Sequence, residues 1–273
     1  MSVNPKDRYQ LTDLLRVMAR LRDPQNGCPW DIRQDFQSIV PSTLEECYEL
    51  AEAIEHGDFA HVAEELGDVL FQVIFYAQLG AEQKLFSFDT IVDTLVSKLI
   101  RRHPHVFADA EIEGIVSASS SVESVKASWE AIKQEERMAK SQGGVLADVP
   151  VALPALPRAQ KLQKRAAQVN FDWSETDAVL TKLEEEIAEL REAMAADCEE
   201  HIAEEMGDIL FSCVNVSRHL GLDAETTLRR ASSKFERRFL LMEARAKTAG
   251  SDLRNLSAAE LDALWESAKA DGR

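Results

Sequence analysis

Residues 61–71 read HVAEELGDVLF, and residues 201–211 read HIAEEMGDILF. Eight of the eleven positions are identical, and the other three exchange one apolar residue for another. A repeat on this scale obliges the chain to build the same unit twice. It extends upstream, where Glu45, Glu46 and Glu49 stand at the same offset of 140 residues from Glu185, Glu186 and Glu189. Each half therefore carries E-E-x-x-E, fifteen further residues, and then E-x-x-D.

A spacing of three places two side chains on one helix face, one turn apart. Glu46 with Glu49 and Glu65 with Asp68 are such pairs, and Glu186 with Glu189 and Glu205 with Asp208 are their counterparts. A polar turn separates the two clusters of each half, His56-Gly57-Asp58 in the first and Ala196-Asp197-Cys198 in the second. Two helices joined by so short a turn run antiparallel and bring their pairs together. The stretch after Asp68, VLFQVIFYAQL, is apolar on nearly every face and reads as a buried helix. Four carboxylates leading into a core are tolerable only around a cation. All-oxygen ligation suits Mg²⁺, with Mn²⁺ as a substitute. Glu45 and Glu185, beside the ligand pairs, can orient or deprotonate an attacking water.

The plain alternative is a solvated acidic face, since 48 of the 273 residues are acidic. Common descent of two purely structural halves would also repeat the pattern. Recurrence of five acidic positions at one offset favours the metal site. Gly67 and Gly207, repeated inside helices at a cost of roughly 1 kcal/mol each, predict close approach by a helix or ligand.

A basic set also recurs. Lys98 and Arg102 match Lys234 and Arg238 at an offset of 136, with Arg101 matching Arg237. Trp129 and Lys133 match Trp265 and Lys269 at the same offset. Lys and Arg at i, i+4 share a helix face and can grip phosphate oxygens. A Trp with a Lys one turn on can flank a base and a phosphate. Singly, such residues are more often core tryptophans and surface bases; as a repeated set beside a metal site they point to nucleotide binding.

The segments TLEECYEL, AEELGDVLFQ, LIRRHPHVF, LPALPRAQKLQKRA, NFDW, KLEEEIAEL, AEEMGDILF and SKFERRF give the chain its resemblance to the MazG family, in the two-domain form and over nearly the whole length. The resemblance implies an all-α, Mg²⁺-dependent enzyme that hydrolyses nucleoside triphosphates to the monophosphate and pyrophosphate. It places metal ligands on Glu186, Glu189, Glu205 and Asp208, with Glu46, Glu49, Glu65 and Asp68 as the first-half counterparts. It places nucleotide contacts on Lys234, Arg238, Trp265 and Lys269. The α-phosphorus as target comes from the resemblance alone. LIRRHPHVF stops at Pro104 whereas KFERRFLLMEAR runs on, and the resemblance favours the second half as the main catalytic unit. Family members pair such units, which implies a homodimer.

Proline is absent between residues 42 and 103 and after 157, and the Leu/Ala/Glu/Lys-rich stretches read as helices. The expected fold is all-α, two tandem helical bundles. Helices are predicted at 9–22, 43–55, 59–80, 88–102, 123–140, 156–168, 176–195, 199–220, 224–247 and 257–269. Ser42 and Thr43, three before Glu45 and Glu46, predict a capping box. The Gly- and Pro-rich segment 141–157 reads as a linker between domains 1–140 and 158–273. A second loop is expected near 108–122.

A net charge of −17 argues against polymeric nucleic acid and anionic membrane as partners, while leaving a free nucleotide with its metal open. The four cysteines form no C-x-x-C and suit a reduced, cytoplasmic protein, with neither a signal peptide nor an 18-residue apolar run. His103-Pro104-His105 reads as structural rather than as a zinc site. The absence of Glu-x-x-His tetrads, of a P-loop and of G-x-G-x-x-G removes the di-iron, P-loop and Rossmann readings. Against the enzyme stand two other classes: a nucleotide-sensing or adaptor protein that keeps the fold without turnover, and a helical scaffold indifferent to Mg²⁺.

Overall fold

The computed structural model describes residues 8–108, 111–114, 121–125, 128–129, 131–132, 136 and 144–271. All regular structure among them is helical. The chain divides into two compact units, Met1–Glu136 and Arg137–Arg273.

The first unit is built of α1 (Leu11–Leu21), α2 (Pro29–Ile32), α3 (Val40–His56), α4 (Phe59–Glu82) and α5 (Phe88–Arg102), with one apolar cluster drawn chiefly from α1 and α4. Met18, Ile39, Ile74, Phe75 and Leu79 form its centre, with Leu14, Leu15, Phe36, Phe71, Tyr76 and Phe88 against it. The α3–α4 hairpin turns at Gly57, whose φ of 71° is the left-handed conformation that glycine adopts without penalty. Asp58 then caps α4, its side chain accepting from the His61 backbone N–H. Behind the hairpin, the buried Arg22 donates from Nε and Nη2 to Glu82 at 2.9 and 2.7 Å and from Nη1 to the Asp31 and Gln34 carbonyls. Its guanidinium lies 5.2 Å from the Phe75 ring centroid.

In the second unit, α6 (Ala155–Ala167), α7 (Thr176–Ala195), α8 (Glu199–His219), α9 (Ala224–Thr248) and α10 (Ala258–Asp271) repeat the hairpin scheme, with a 3₁₀ turn at Leu253–Asn255. The α7–α8 turn uses Asp197 at φ 53°, one of the few non-glycine residue types that adopts this conformation readily. The core here mixes Val179, Val214 and Met242 with buried amides. Gln160 donates to the Leu222 carbonyl at 2.9 Å and accepts from the Ala224 N–H at 3.1 Å; Gln163 donates to the Phe211 carbonyl at 2.9 Å. Residues 144–157 do not all hang free: Val149 is buried, Asp148 pairs with Arg165, and α6 starts at Ala155.

The periodic segments give helices with ends within three residues of those expected. The helix expected at 123–140 lies largely outside the described residues. The two short elements, α2 and the 3₁₀ turn, are too brief for a periodicity to register. Two expectations are corrected. Ser42 and Thr43 do not cap α3: Pro41, which suits a first turn, lets the helix begin at Val40, so both residues lie inside it. Thr43 Oγ1 instead bonds the Ile39 carbonyl and the Tyr76 hydroxyl, at 3.0 and 3.1 Å. Nor is α4 buried all round. Ile74, Phe75, Ala77 and Leu79 are, but Leu66, Leu70 and Val73 are exposed. The second unit exposes the equivalent positions, Met206, Leu210 and Cys213, with Phe211 beside them. No helix among the described residues is long and apolar enough to cross a membrane.

Candidate active site

The hairpins bring carboxylates together in both units. Ligand atoms of Glu46, Glu49 and Glu65 lie within 4.8 Å of one another in the first, and those of Glu186, Glu205 and Asp208 in the second. The fourth expected member lies at the edge of each group. Asp68 is near enough to raise the pKa of Glu46, after burial and together with Glu49, Glu65 and Glu45. Glu189 is within hydrogen-bonding reach of Glu186, and its pKa is raised first by desolvation and then by that contact. Burial and crowding by neighbouring carboxylates act in the same direction in both units, with Lys182 working against them at Glu189.

The first cluster holds a direct sign of a missing partner. His61 Nε2 lies 2.6 Å from Glu65 Oε1, while Glu65 Oε2 is buried with no hydrogen-bond partner among the described residues. A buried carboxylate oxygen left alone costs free energy unless it is coordinated. Three convergent carboxylates with such an oxygen fit a hard divalent ion. In the second cluster Lys182 Nζ reaches Glu185 Oε1 at 2.8 Å and Glu186 Oε1 at 2.9 Å. The two glutamates push the Lys182 pKa well above the usual range. Its first-half counterpart is Ser42, so a histidine partners the acids in one unit and a lysine in the other. Neither His61 nor Lys182 was singled out from the sequence, although both stand four residues from a clustered glutamate. Glu45 and Glu185 are exposed, and Glu185 is engaged by Lys182.

Gly67 and Gly207 do not mark close approach. A Cβ added at either would meet nothing within 4 Å among the described residues. Among the described residues, neither glycine is therefore needed to admit a neighbouring helix.

The basic residues sit differently in the two halves. In the second, the Arg238 guanidinium lies 5.9 Å from the Trp265 ring centroid, Lys269 Nζ also lies at 5.9 Å, and Phe235 closes the group at 5.3 Å. Arg238 Nε is buried and has no hydrogen-bond partner among the described residues. Lys269 also pairs with Glu266 at 2.6 Å, and Lys234 is exposed on α9. In the first half, Lys98 lies on α5, and Arg101 and Arg102 both bind Glu136. Trp129 is a half-exposed neighbour of the His103 ring, with centroids 6.3 Å apart. Lys133 lies outside the described residues. α5 stops at Arg102, ahead of Pro104, whereas α9 runs on to Thr248.

The MazG nucleotide pyrophosphohydrolase domain matches residues 34–107 and 174–239, the two hairpins with their basic helices. The chain is 48% identical over 262 residues to the nucleoside triphosphate pyrophosphohydrolase of Escherichia coli K12, covering 95% of this chain and 97% of that protein. It is 43% identical over 257 residues to the nucleoside triphosphate pyrophosphohydrolase/pyrophosphatase MazG of Thermotoga maritima, covering 94% of each. It is 39% identical over 164 residues to the nucleoside triphosphate pyrophosphohydrolase of Mycobacterium tuberculosis, covering 59% of this chain and 46% of that one. Twin acidic hairpins, a helical fold throughout the described residues and similarity along nearly its whole length make this chain a member of the MazG nucleotide pyrophosphohydrolase family.

Proposed function

We propose that the protein hydrolyses ribo- or deoxyribonucleoside triphosphates to the monophosphate and pyrophosphate, with Mg²⁺ held by Glu186, Glu189, Glu205 and Asp208, and that residues 158–273 carry most of the turnover. The observation that carries the reading is the convergence of Glu186, Glu205 and Asp208 within the second region that matches the family. Glu46, Glu49, Glu65 and Asp68 form the matching site of the first domain, 1–140. A bound Mg²⁺ supplies positive charge against the substrate's phosphates; Mn²⁺ has the same ligand preference.

The chain's own residues do the rest. Water adds its oxygen to the α-phosphorus, and the bond from that phosphorus to the α–β bridging oxygen breaks. Glu185, with Glu45 as its first-half equivalent, accepts the water's proton, and the pyrophosphate leaves with the bridging oxygen. Arg238 steadies the leaving pyrophosphate; its buried Nε has no partner among the described residues, which supports a donor kept for a phosphate oxygen. Trp265 holds that guanidinium from one side, and Lys234 and Lys269 add charge nearby. Lys98, Arg102, Trp129 and Lys133 are the corresponding set of the first domain.

A homodimer is part of the proposal. The stripe Leu66–Leu70–Val73 and, in the second unit, Met206, Leu210 and Phe211 leave apolar side chains in solvent on the hairpins themselves, the kind of surface that pairing covers. The defining experiment supplies a panel of nucleoside triphosphates with Mg²⁺ and counts products. Monophosphate and pyrophosphate in equal amounts are expected. Diphosphate and free phosphate as primary products would place attack at the γ-phosphorus and end the proposal.

A further inference from the structure

The same pair of arginines meets opposite company in the two units. On α5, Arg101 donates from Nε and Nη2 to Oε1 of Glu136, at 2.8 and 2.6 Å. Arg102 donates from Nε and Nη2 to Oε2 of the same carboxylate, at 3.1 and 2.5 Å. One carboxylate thus fills two guanidinium forks, and its side chain is only 16% exposed. The arginines hold its pKa down to about 2, Arg102 more than Arg101, so it stays charged at any working pH.

Among the described residues, no carboxylate pairs with Arg237 or Arg238 as Glu136 does with Arg101 and Arg102. The register that aligns Arg102 with Arg238 places Gly272 opposite Glu136. The nearest acid in sequence, Asp271, pairs with Arg245 instead. The second unit therefore keeps Arg238 Nε unspent, and the first spends both forks on itself.

A guanidinium fork binds a carboxylate and a phosphate by the same two parallel hydrogen bonds. We infer that Glu136 is an internal stand-in for phosphate, a specificity-determining residue that keeps the first unit's Arg101–Arg102 pair from taking a phosphate chain while the second unit's pair stays open. A ligand competing with a tethered occupant binds with its affinity reduced by the fraction of time the site is free. Loss of Glu136 therefore raises first-unit affinity without a new contact being made.

This inference rests on the reading of Arg102 and Arg238 as phosphate-binding residues, and the test separates the two. Inorganic pyrophosphate is titrated by calorimetry into full-length protein carrying Arg238→Ala and Lys234→Ala, which weaken the second unit's phosphate contacts, with and without Glu136→Gln. The protein with Glu136→Gln should bind at least about tenfold more tightly, and adding Arg102→Ala should abolish the gain. Glu136→Asp, which keeps the charge on a shorter arm, should give an intermediate gain and serves if Glu136→Gln melts early. Unchanged affinity in the folded variants, or a gain that survives Arg102→Ala, overturns the inference. Turnover of nucleoside triphosphates by the unmodified protein is measured alongside. Its absence refutes the proposed reaction, and the pyrophosphate titration still reports on Glu136.

Discussion

The two halves share the acidic positions of one hairpin, with eight of eleven residues identical between 61–71 and 201–211, and part company at the helix that follows. α5 ends at Arg102 with its arginines tied to Glu136; α9 continues for ten more residues and presents Arg238 against Trp265 with a donor to spare. On the proposed function, a duplicated acidic hairpin is not a duplicated active site. The acids cluster because the hairpin geometry forces them together, whereas the cations work only where nothing else in the chain has claimed them.

The largest expected effect tests this directly. Glu205→Gln should lower kcat by about a hundredfold or more, the scale on which one electrostatic stabiliser of a transition state acts. Glu65→Gln should leave kcat nearly unchanged. Metal-free Glu205→Gln should melt no lower than the unmodified protein, because a mutually repelling charge has gone. A larger loss from Glu65→Gln would reverse the assignment, and equal losses would make both sites active. Next, Arg238→Ala should cut kcat/KM by about ten- to a hundredfold, within the range of lost charged hydrogen bonds, while Arg102→Ala leaves it unchanged. Equal losses would show that Glu136 does not withhold the first pair.

Stability offers a second comparison. The first unit is locked by a charge and the second by amides. Arg22→Ala strips a mostly buried pair and should cost about 3 kcal/mol, the low end for such losses, because the Glu82 side chain keeps 35% of its exposure. Gln160→Leu gives up two hydrogen bonds to backbone and should cost about 1–2 kcal/mol. Chemical denaturation of both variants measures the order, and a costlier Gln160→Leu would invert it.

The smallest effect is titration. Arg218 and then His219 hold the pKa of Asp172 down to about 2, against an ordinary 3.8, as Arg102 and Arg101 hold Glu136. A carboxylate depressed on folding stabilises the fold above its unfolded pKa, and that contribution is lost as pH falls toward the folded value. Both units should therefore lose stability between about pH 4.5 and 2, and Asp172→Asn should flatten the second unit's share of that slope. An identical slope in the variant would show that the pairing contributes nothing.

Much of this was readable from residue order. The repeat fixed the acidic spacing, and i, i+3 geometry did the rest, so Glu46, Glu49 and Glu65 meet as expected. What escaped depended on partners distant in sequence. Glu136 lies more than thirty residues beyond Arg101, and nothing in its local pattern announces that it will close on two arginines. The capping expectation failed because Ser42 and Thr43 satisfied a motif that Pro41 had already displaced by a turn. Gly67 and Gly207 misled in a plainer way: a helix glycine marks space, and only the structure says whether that space is filled. The buried amides of the second core carry no periodic signature, since Gln160 and Gln163 look like ordinary polar residues of an amphipathic helix.

Arg22 has a consequence for how the first unit opens. A single guanidinium ties the end of α1, the carbonyls of Asp31 and Gln34, the Phe75 ring and the last turn of α4. Helices near a chain terminus ordinarily fray, and their amides exchange with solvent long before the core opens. Here α1 cannot lift without stripping a buried charge of all its partners at once. Its amides should exchange in step with those of α4, as one foldon, so the metal hairpin and the opening helix are released together or not at all.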